Sequence, residues 1–440
     1  MKKFISTVKN IFSIEDLRIR ILNTIGFLIV FRLGSFIVLP GVDPSKLGDA
    51  PEGIFGLIDT FLGGAFSNAS IFGLGIMPYI SASIVLQLLT VGVPYFQKLQ
   101  KEGESGRKRI NQITRVLTIA ITVAQGIGYI TATILPTGAV MVSTSLFMFS
   151  SLVLLSAGTM FCMWLGEKIT EKGIGNGISM LIMIGIISRF PGAIIAEVLT
   201  KGTSGMLLLL IEAAVLFFVV VGVVALTEAT RRIPVQYAKQ VVGGKVYGGQ
   251  RQYIPIKVNA SGVMPIIFAQ SLMFLPALVA QIWSSESDIA NYIGSTFSDF
   301  TSWQYNLVFA SMIILFTFFY TAITVNPEQI SEDLKRNGGF VPGIKPGAPT
   351  ADFIDNVISR ITLPGSVLLA LVAVLPAFAI IAGVGGEFAQ FYGGTSLLIM
   401  VGVIMDTLRQ IESYLLMRHY EGMMKSGNMK DNPSKYAAAI

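Results

Sequence analysis

Histidine, cysteine and charged side chains are scarce in this 440-residue sequence. One cysteine, Cys162, and one histidine, His419, exclude an internal disulfide, a thiolate metal site and a histidine cluster. Charged residues make up 13% of the chain, which is about half of the share in soluble domains. In their place, 52% of the residues are hydrophobic and 45 are glycine, a composition typical of a membrane protein with many spans.

Ten stretches of the sequence are long and apolar enough to cross a membrane, which requires about 20 predominantly apolar residues. Proline and glycine stand at several of their ends, as expected of helix boundaries. The sequence therefore predicts an all-α polytopic membrane protein, with spans at residues 21–40, 72–93, 113–135, 145–166, 176–198, 205–227, 259–283, 304–325, 361–384 and 395–413.

A four-residue motif occurs in the second predicted span and again in the seventh. Residues 75–78 (GIMP) and 262–265 (GVMP) both stand where a polar segment rich in small residues enters an apolar run. Because the two motifs stand five spans apart, they indicate two equivalent halves of five spans each, 21–198 and 205–413. Five crossings end on the side opposite to where they began, so the second half enters the membrane inverted relative to the first. Gly/Pro-interrupted segments at matching places in inverted halves indicate a conduction site between the halves.

Basic residues are concentrated in the termini and in every second loop. Of the 32 Lys and Arg residues, 27 fall there, whereas the other side has only Lys46, Arg189 and Lys201. The positive-inside rule then places both termini in the cytoplasm. Residues 1–20 are expected to form a basic amphipathic cytoplasmic segment, and 414–440 a cytoplasmic tail.

A short apolar segment, residues 53–66, precedes the second span and is too short to cross a membrane. A hinge of small and polar residues, 63–70, follows it. One interpretation is a re-entrant helix surrounded by protein at membrane depth, which would act as a movable stopper in a pore. The other is an interfacial helix lying on the outer surface, and the sequence does not separate the two.

Few charged residues lie inside the predicted spans. An ion-coupled transporter usually has a denser acidic relay than this chain offers. Polar Ser83 and Gln87, by contrast, share one helical face and either bond neighbouring helices together or form a hydrated seam that opens. The charged positions are Arg32, Glu212 and Asp406, with Arg409 and Glu412 near a helix end.

Two predicted cytoplasmic loops, 228–258 and 326–360, are longer than connections require. The first is predicted to form a small β-hairpin with a glycine-rich tip, which lacks the spacing of a phosphate-binding loop. The basic residues of both loops either only set the topology or dock a partner, and the ordered Pro/Gly pattern favours docking. They are Arg231, Arg232, Lys239, Arg251, Lys335, Arg336 and Lys345.

The sequence resembles the SecY family of channel-forming protein translocase subunits over essentially its whole length. The family usually has Gly-Ile-Arg-Pro-Gly in the second long loop, whereas this chain has Lys345. Lysine keeps the charge but loses the planar bidentate fork, so a contact that needs that fork is in doubt. The most specific matches are 70–87, 164–177, 257–265 and 340–347, with shorter agreement at 31–35 and 403–406.

The resemblance implies an hourglass-shaped channel for unfolded secretory chains in the bacterial cell membrane. SecE would clamp the two halves and SecG would lie nearby. Signal-bearing precursors would release their signal sequences into the membrane lipid through a lateral gate, to which Ser83, Gln87 and Asn259 are assigned. The SecA motor or the ribosome would bind the basic loops and supply the energy, and the chain itself would be a passive channel without a catalytic residue, cofactor or metal.

The resemblance also assigns a plug and a pore ring. A ring of branched apolar side chains seats around a moving chain and offers ions no hydration, as in constrictions that gate by dewetting. The plug, at about 57–69, would include Leu57, Phe61, Leu62, Gly63, Gly64, Ser67 and Asn68. The ring would consist of Ile76, Ile80, Ile182 (with Ile178 or Ile186 as alternatives), Ile267 and Ile404.

Two other functions compete with a protein-conducting channel. Inverted halves also occur in secondary transporters for small solutes, but the sparse intramembrane charges and the large basic loops favour the channel. An intramembrane enzyme based on a Ser–His dyad or a His–metal site is excluded, because no predicted span contains a histidine.

Overall fold

Helices dominate the computed structural model, which describes residues 12, 14–47, 54–202, 205–237, 240–242, 245–247, 251–283, 292, 296–297 and 299–425. A π turn, Ile130–Ile134, and a 3-10 turn, Leu135–Thr137, extend the fifth helix. The helices are α1 (Glu15–Gly34), α2 (Ile54–Leu62), α3 (Met77–Gly92), α4 (Pro94–Lys101), α5 (Glu104–Tyr129), α6 (Thr144–Lys172), α7 (Gly177–Lys201), α8 (Met206–Glu228), α9 (Met264–Trp283), α10 (Trp303–Thr324), α11 (Pro327–Arg336), α12 (Ala348–Ile381), α13 (Gly386–Ala389) and α14 (Gly394–Lys425).

Each of the ten predicted spans coincides for most of its length with one of these helices, which confirms the all-α membrane class. Among the described residues, seven helical segments are long and apolar enough to cross a membrane, beginning with α5, α6, α7, α8, α10, α12 and α14. Helices α3 and α4 count as an eighth if the pair, bent by 97°, is one broken span. Helix α1 carries charges near both ends, and the described apolar part of α9 is short. The count of ten crossings therefore stays a prediction.

The largest apolar core draws side chains from both predicted halves. Helix α3 of the first half contacts α9 of the second, and α7 contacts α14. Apolar side chains of all four helices belong to this one core, among them Ile80, Ile182, Ile267 and Leu398. Because helices of both predicted halves share this core, the interface between the halves is the candidate functional site.

The hairpin predicted in the first long loop is present. Strands β1 (Thr230–Tyr237) and β4 (Arg251–Lys257) pair antiparallel from Thr230 opposite Lys257 to Gln236 opposite Arg251. Strands β2 (Gln240–Val242) and β3 (Lys245–Tyr247) pair beyond them.

A third strand, which the sequence did not predict, joins the two long loops. Strand β5 (Gly339–Phe340), from the second loop, pairs with β1, so the sheet order is β4-β1-β5. Ile233 and Val235 pack beneath the sheet in one apolar cluster with Leu334 and Val341. The two loops therefore fold as a single unit.

Candidate functional site

Helix α2 lies inside the protein against α7. Phe61 and Leu62 are 6% and 5% exposed, and Asp59 is 1% exposed. An interfacial helix would turn one face to lipid headgroups, so this burial favours the re-entrant interpretation. We call residues 54–69 the plug segment; within it, the side chain of Leu57 lies outside the described residues.

The predicted hinge is a tight turn directly after α2. Gly63 and Gly64 have φ values of +63° and +91°, in the left-handed region that favours glycine. The backbone N–H of Asn68 donates to the Gly64 carbonyl at 3.1 Å, while the Asn68 side chain is exposed. Ser67 is half-buried and faces inward. The chain therefore reverses direction within a few residues and returns toward α3.

Polar contacts fix this turn to the rest of the protein. The buried Tyr129 hydroxyl donates to the Phe66 carbonyl at 2.6 Å. The Thr60 hydroxyl donates to the side-chain oxygen of Gln390, in the second half. Asp59 pairs with Arg189 of α7. The plug segment is thus held from both halves.

A small cavity, with room for about 30 Å³ of solvent, lies against the plug segment, where α3, α7, α9 and α14 meet. Four of the five predicted ring residues line it, and Phe61 and Leu62 of the plug segment complete the apolar wall. The few polar groups are Gln270, Ser271 and Thr395. The four ring residues are Ile76, Ile80, Ile182 and Ile267.

The structure does not bring Ile404 to this cavity. Its side chain is 41% exposed, whereas Ile399, five residues earlier on α14, is 2% exposed and lines the cavity. Five residues advance about 1.4 turns along a helix, so the two side chains point about 140° apart and occupy different faces. The alternatives on α7, Ile178 and Ile186, do not line the cavity either.

The three predicted lateral-gate residues stand on α3 and in the segment that leads into α9. Ser83 and Gln87 are half-buried on α3. Asn259 is 7% exposed and accepts a hydrogen bond from the Ser261 hydroxyl at 3.2 Å. None of the three lines the cavity described above or a second, smaller cavity beside it.

The second cavity, with room for about 20 Å³ of solvent, lies between the plug segment, α3, α5 and α9. Its polar lining is Ser81, Gln125 and Ser271, which sequence reasoning did not assign. The sequence did contain a signal for Gln125, because it is a polar residue inside an apolar span. Glutamine is costly in lipid unless it is paired or hydrated, so it is expected to face protein or a water-filled cavity.

Five of the seven predicted docking residues are exposed on the sheet unit: Arg231, Arg232, Lys335, Arg336 and Lys345. Lys239 lies outside the described residues, as does the side chain of Arg251, although the Arg251 backbone belongs to β4. Arg336 is 3.7 Å from Glu332, and both side chains are exposed, so this contact adds little to stability.

The chain is similar to known proteins over nearly its whole length. The family model described as SecY matches residues 70–408. The protein translocase subunit SecY of Mycobacterium tuberculosis is 41% identical over 448 residues, covering 97% of this chain and 100% of the relative. That of Streptomyces coelicolor is 42% identical and covers 94% and 98%.

Solved structures share the fold. A protein-conducting channel aligns with a TM-score of 0.65 at 16% identity, covering 94% of this chain and 95% of the other. A structure concerned with the plug domain of the SecY protein gives 0.63 at 17% identity, over the same shares. Sec61 in a canine ribosome–channel complex gives 0.61 at 16% identity, again over 94% and 95%.

Proposed function

The chain belongs to the SecY family, and from that membership we propose that it is the protein-conducting channel of a Sec translocase. Unfolded secretory chains would cross through the cavity between the two halves. Signal sequences and membrane segments would leave sideways between α3 and α9. The channel would be passive, with energy supplied by SecA, the ribosome or the membrane potential.

The observation that carries this proposal is the apolar cavity closed on one side by the plug segment. Branched side chains from α3, α7 and α9 surround it, and Ile399 supplies α14. We therefore propose a ring of Ile76, Ile80, Ile182, Ile267 and Ile399. Such a ring offers ions no charge or hydration, yet yields to a passing chain because its contacts are dispersive.

Orientation and partners follow from the charge pattern and the sheet unit. Both termini and the sheet would face the cytoplasm of a bacterial cell. Exposed Arg and Lys side chains on the sheet unit would dock SecA or ribosomal RNA, the latter with the salt dependence of counterion release. Sec61, which shares the fold, was solved on a ribosome, which supports that mode. SecE and SecG would pack against the exposed apolar helix faces.

Transport in proteoliposomes tests the channel proposal directly. Vesicles would hold this chain with a SecE partner, and SecA, ATP and a signal-bearing precursor would be outside. We expect protease-protected precursor that depends on ATP and on an intact signal sequence. If the precursor is not protected from protease although SecA binds, the channel function is overturned. The solute transporter would then be the favoured function.

The ring assignment is tested by serine substitutions at two isoleucines of one helix. Ile399→Ser places a hydroxyl in the constriction and is expected to raise the resting ion conductance several-fold, because a polar group favours a continuous column of water. Ile404→Ser is the matched control, on the same helix but off the cavity. Equal conductance of the two variants in planar bilayers would remove Ile399 from the ring.

A further inference from the structure

An ion pair joins the plug segment to the membrane helix behind it. The guanidinium of Arg189, on α7, contacts a carboxylate oxygen of Asp59, on α2. The Asp59 side chain is 2% exposed and that of Arg189 is 32% exposed. The carboxylate is therefore the desolvated partner, while the guanidinium keeps one side open.

Ser67 completes the pair from within the plug segment. Its backbone N–H and its hydroxyl donate to the two oxygens of Asp59, at 2.8 and 3.1 Å. The Arg189 guanidinium in turn donates to the Ser67 hydroxyl oxygen at 3.0 Å. Helix and hinge are thereby tied to each other and, through one side chain, to α7.

A second arginine holds the same turn from another helix. Arg32 of α1 donates to the carbonyl oxygen of Gly63, directly after the last residue of α2. A cation at this position also complements the negative end of the helix dipole. Arg32 and Arg189 are close enough to repel each other, and Glu387 of α13 attracts Arg189. In the part of the chain that the structure describes, the charged groups named around the turn are Arg32, Arg189, Asp59 and Glu387.

Moving the plug segment breaks the ion pair and the hydrogen bond from Arg189 to Ser67, and leaves Arg189 with its attraction to Glu387. In the closed state Asp59 is compensated by its partners, whereas in an open, water-filled pore both groups are hydrated. Neutralising Arg189 alone would leave a buried carboxylate without its cation, which penalises only the closed state. Neutralising both groups would leave two amides that still form hydrogen bonds, so the penalty is smaller.

We propose that the Asp59–Arg189 pair is a latch that sets how strongly a signal sequence must bind before the channel opens. Both residues are then specificity determinants of transport. A stronger latch demands a more hydrophobic signal, because signal binding must offset the free energy of opening. This inference rests on the proposed channel function.

The test compares Arg189→Gln, Asp59→Asn and the double variant with the parent chain, all reconstituted with a SecE partner. Arg115→Gln is the matched control, because Arg115 forms an ion pair with Glu167 between α5 and α6, away from the plug segment. One measurement is resting ion conductance without motor or precursor. The other is the ratio of transport between a precursor with an intact signal and one with a shortened apolar signal core.

We expect Arg189→Gln to raise resting conductance about tenfold and to lower the transport ratio toward one. Asp59→Asn should have a smaller effect, since Arg189 stays partly hydrated and close to Glu387. The double variant should fall between Arg189→Gln and the parent, which a simple loss of folding would not produce.

The latch is overturned if Arg189→Gln matches Arg115→Gln in both measurements, or if the double variant leaks at least as much as Arg189→Gln. Failure of the channel proposal looks different. In that case the parent itself does not transport the precursor with the intact signal, whatever the conductance of the variants.

Discussion

Alanine at Gly185 is expected to unseat the plug segment and make the resting channel leak ions. A Cβ atom at this position of α7 would lie 2.2 Å from the carbonyl oxygen of Phe61 and 3.2 Å from the backbone nitrogen of Gly63. Backbone atoms cannot rotate away as a side chain does, so one element must shift. Helix α7 is fixed against α6 and α14, whereas α2 has only nine residues, and it is α2 that yields.

The size of the leak follows from the cost of overpacking. One inserted methyl group in a tight contact costs about 1–3 kcal/mol, which shifts a closed–open equilibrium by about fivefold to somewhat over a hundredfold. Deletion of residues 57–69 should leak at least as much, since it removes the stopper altogether. Planar-bilayer conductance without motor or precursor measures all variants on one scale.

Gly192→Ala is the matched control for Gly185→Ala. It lies on the same helix, about two turns further on, and no atom stands within 4 Å of the added Cβ. Its conductance should equal that of the parent chain, and its stability should rise slightly because alanine favours helix. A sealed Gly185→Ala channel that still transports precursor would show that the plug segment does not rest on α7.

Long apolar runs made the membrane helices predictable, and the glycine-rich hinge made the turn after α2 predictable. Four ring isoleucines were predicted by family resemblance together with the internal repeat. For the fifth position, Ile399 lines the cavity and the predicted Ile404 does not, and the run around both residues is apolar on every side. Without a polar face, the sequence gives no periodic signal for which isoleucine points inward.

Contacts between distant residues could not be predicted from local pattern. Strand β5 has two residues and pairs with a strand about a hundred residues earlier. Asp59 and Arg189 are 130 residues apart. Basic residues are rare in the loops predicted to lie opposite the cytoplasm. That rarity was a usable signal of structural ion pairs, since Arg189 and Lys201 both form buried or half-buried pairs.

Methionine at Lys201 is expected to lower the free energy of unfolding by about 3 kcal/mol. The Lys201 ammonium lies 2.6 Å from a carboxylate oxygen of Glu197, on α7, and also contacts Glu212 of α8. All three side chains are at most 11% exposed. The backbone N–H of Gly385 donates to Glu197 at 3.0 Å, but one oxygen of Glu212 has no hydrogen-bond partner among the described residues.

The methionine side chain would keep most of the packing of Lys201 and remove the cation that both carboxylates share. Two like charges would then remain in a poorly hydrated site, which is the costly way to break a buried pair. Adding Glu197→Gln and Glu212→Gln to the same chain should restore most of the lost stability, because neutral amides need no cation.

Lys172→Met, at the exposed end of α6, should change stability by no more than about 0.5 kcal/mol. Tryptophan fluorescence during denaturation in detergent micelles measures all of these variants. If Lys201→Met and Lys172→Met unfold at the same denaturant concentration, the cluster does not hold α7 to α8, and the end of the first half must be fixed by apolar packing alone.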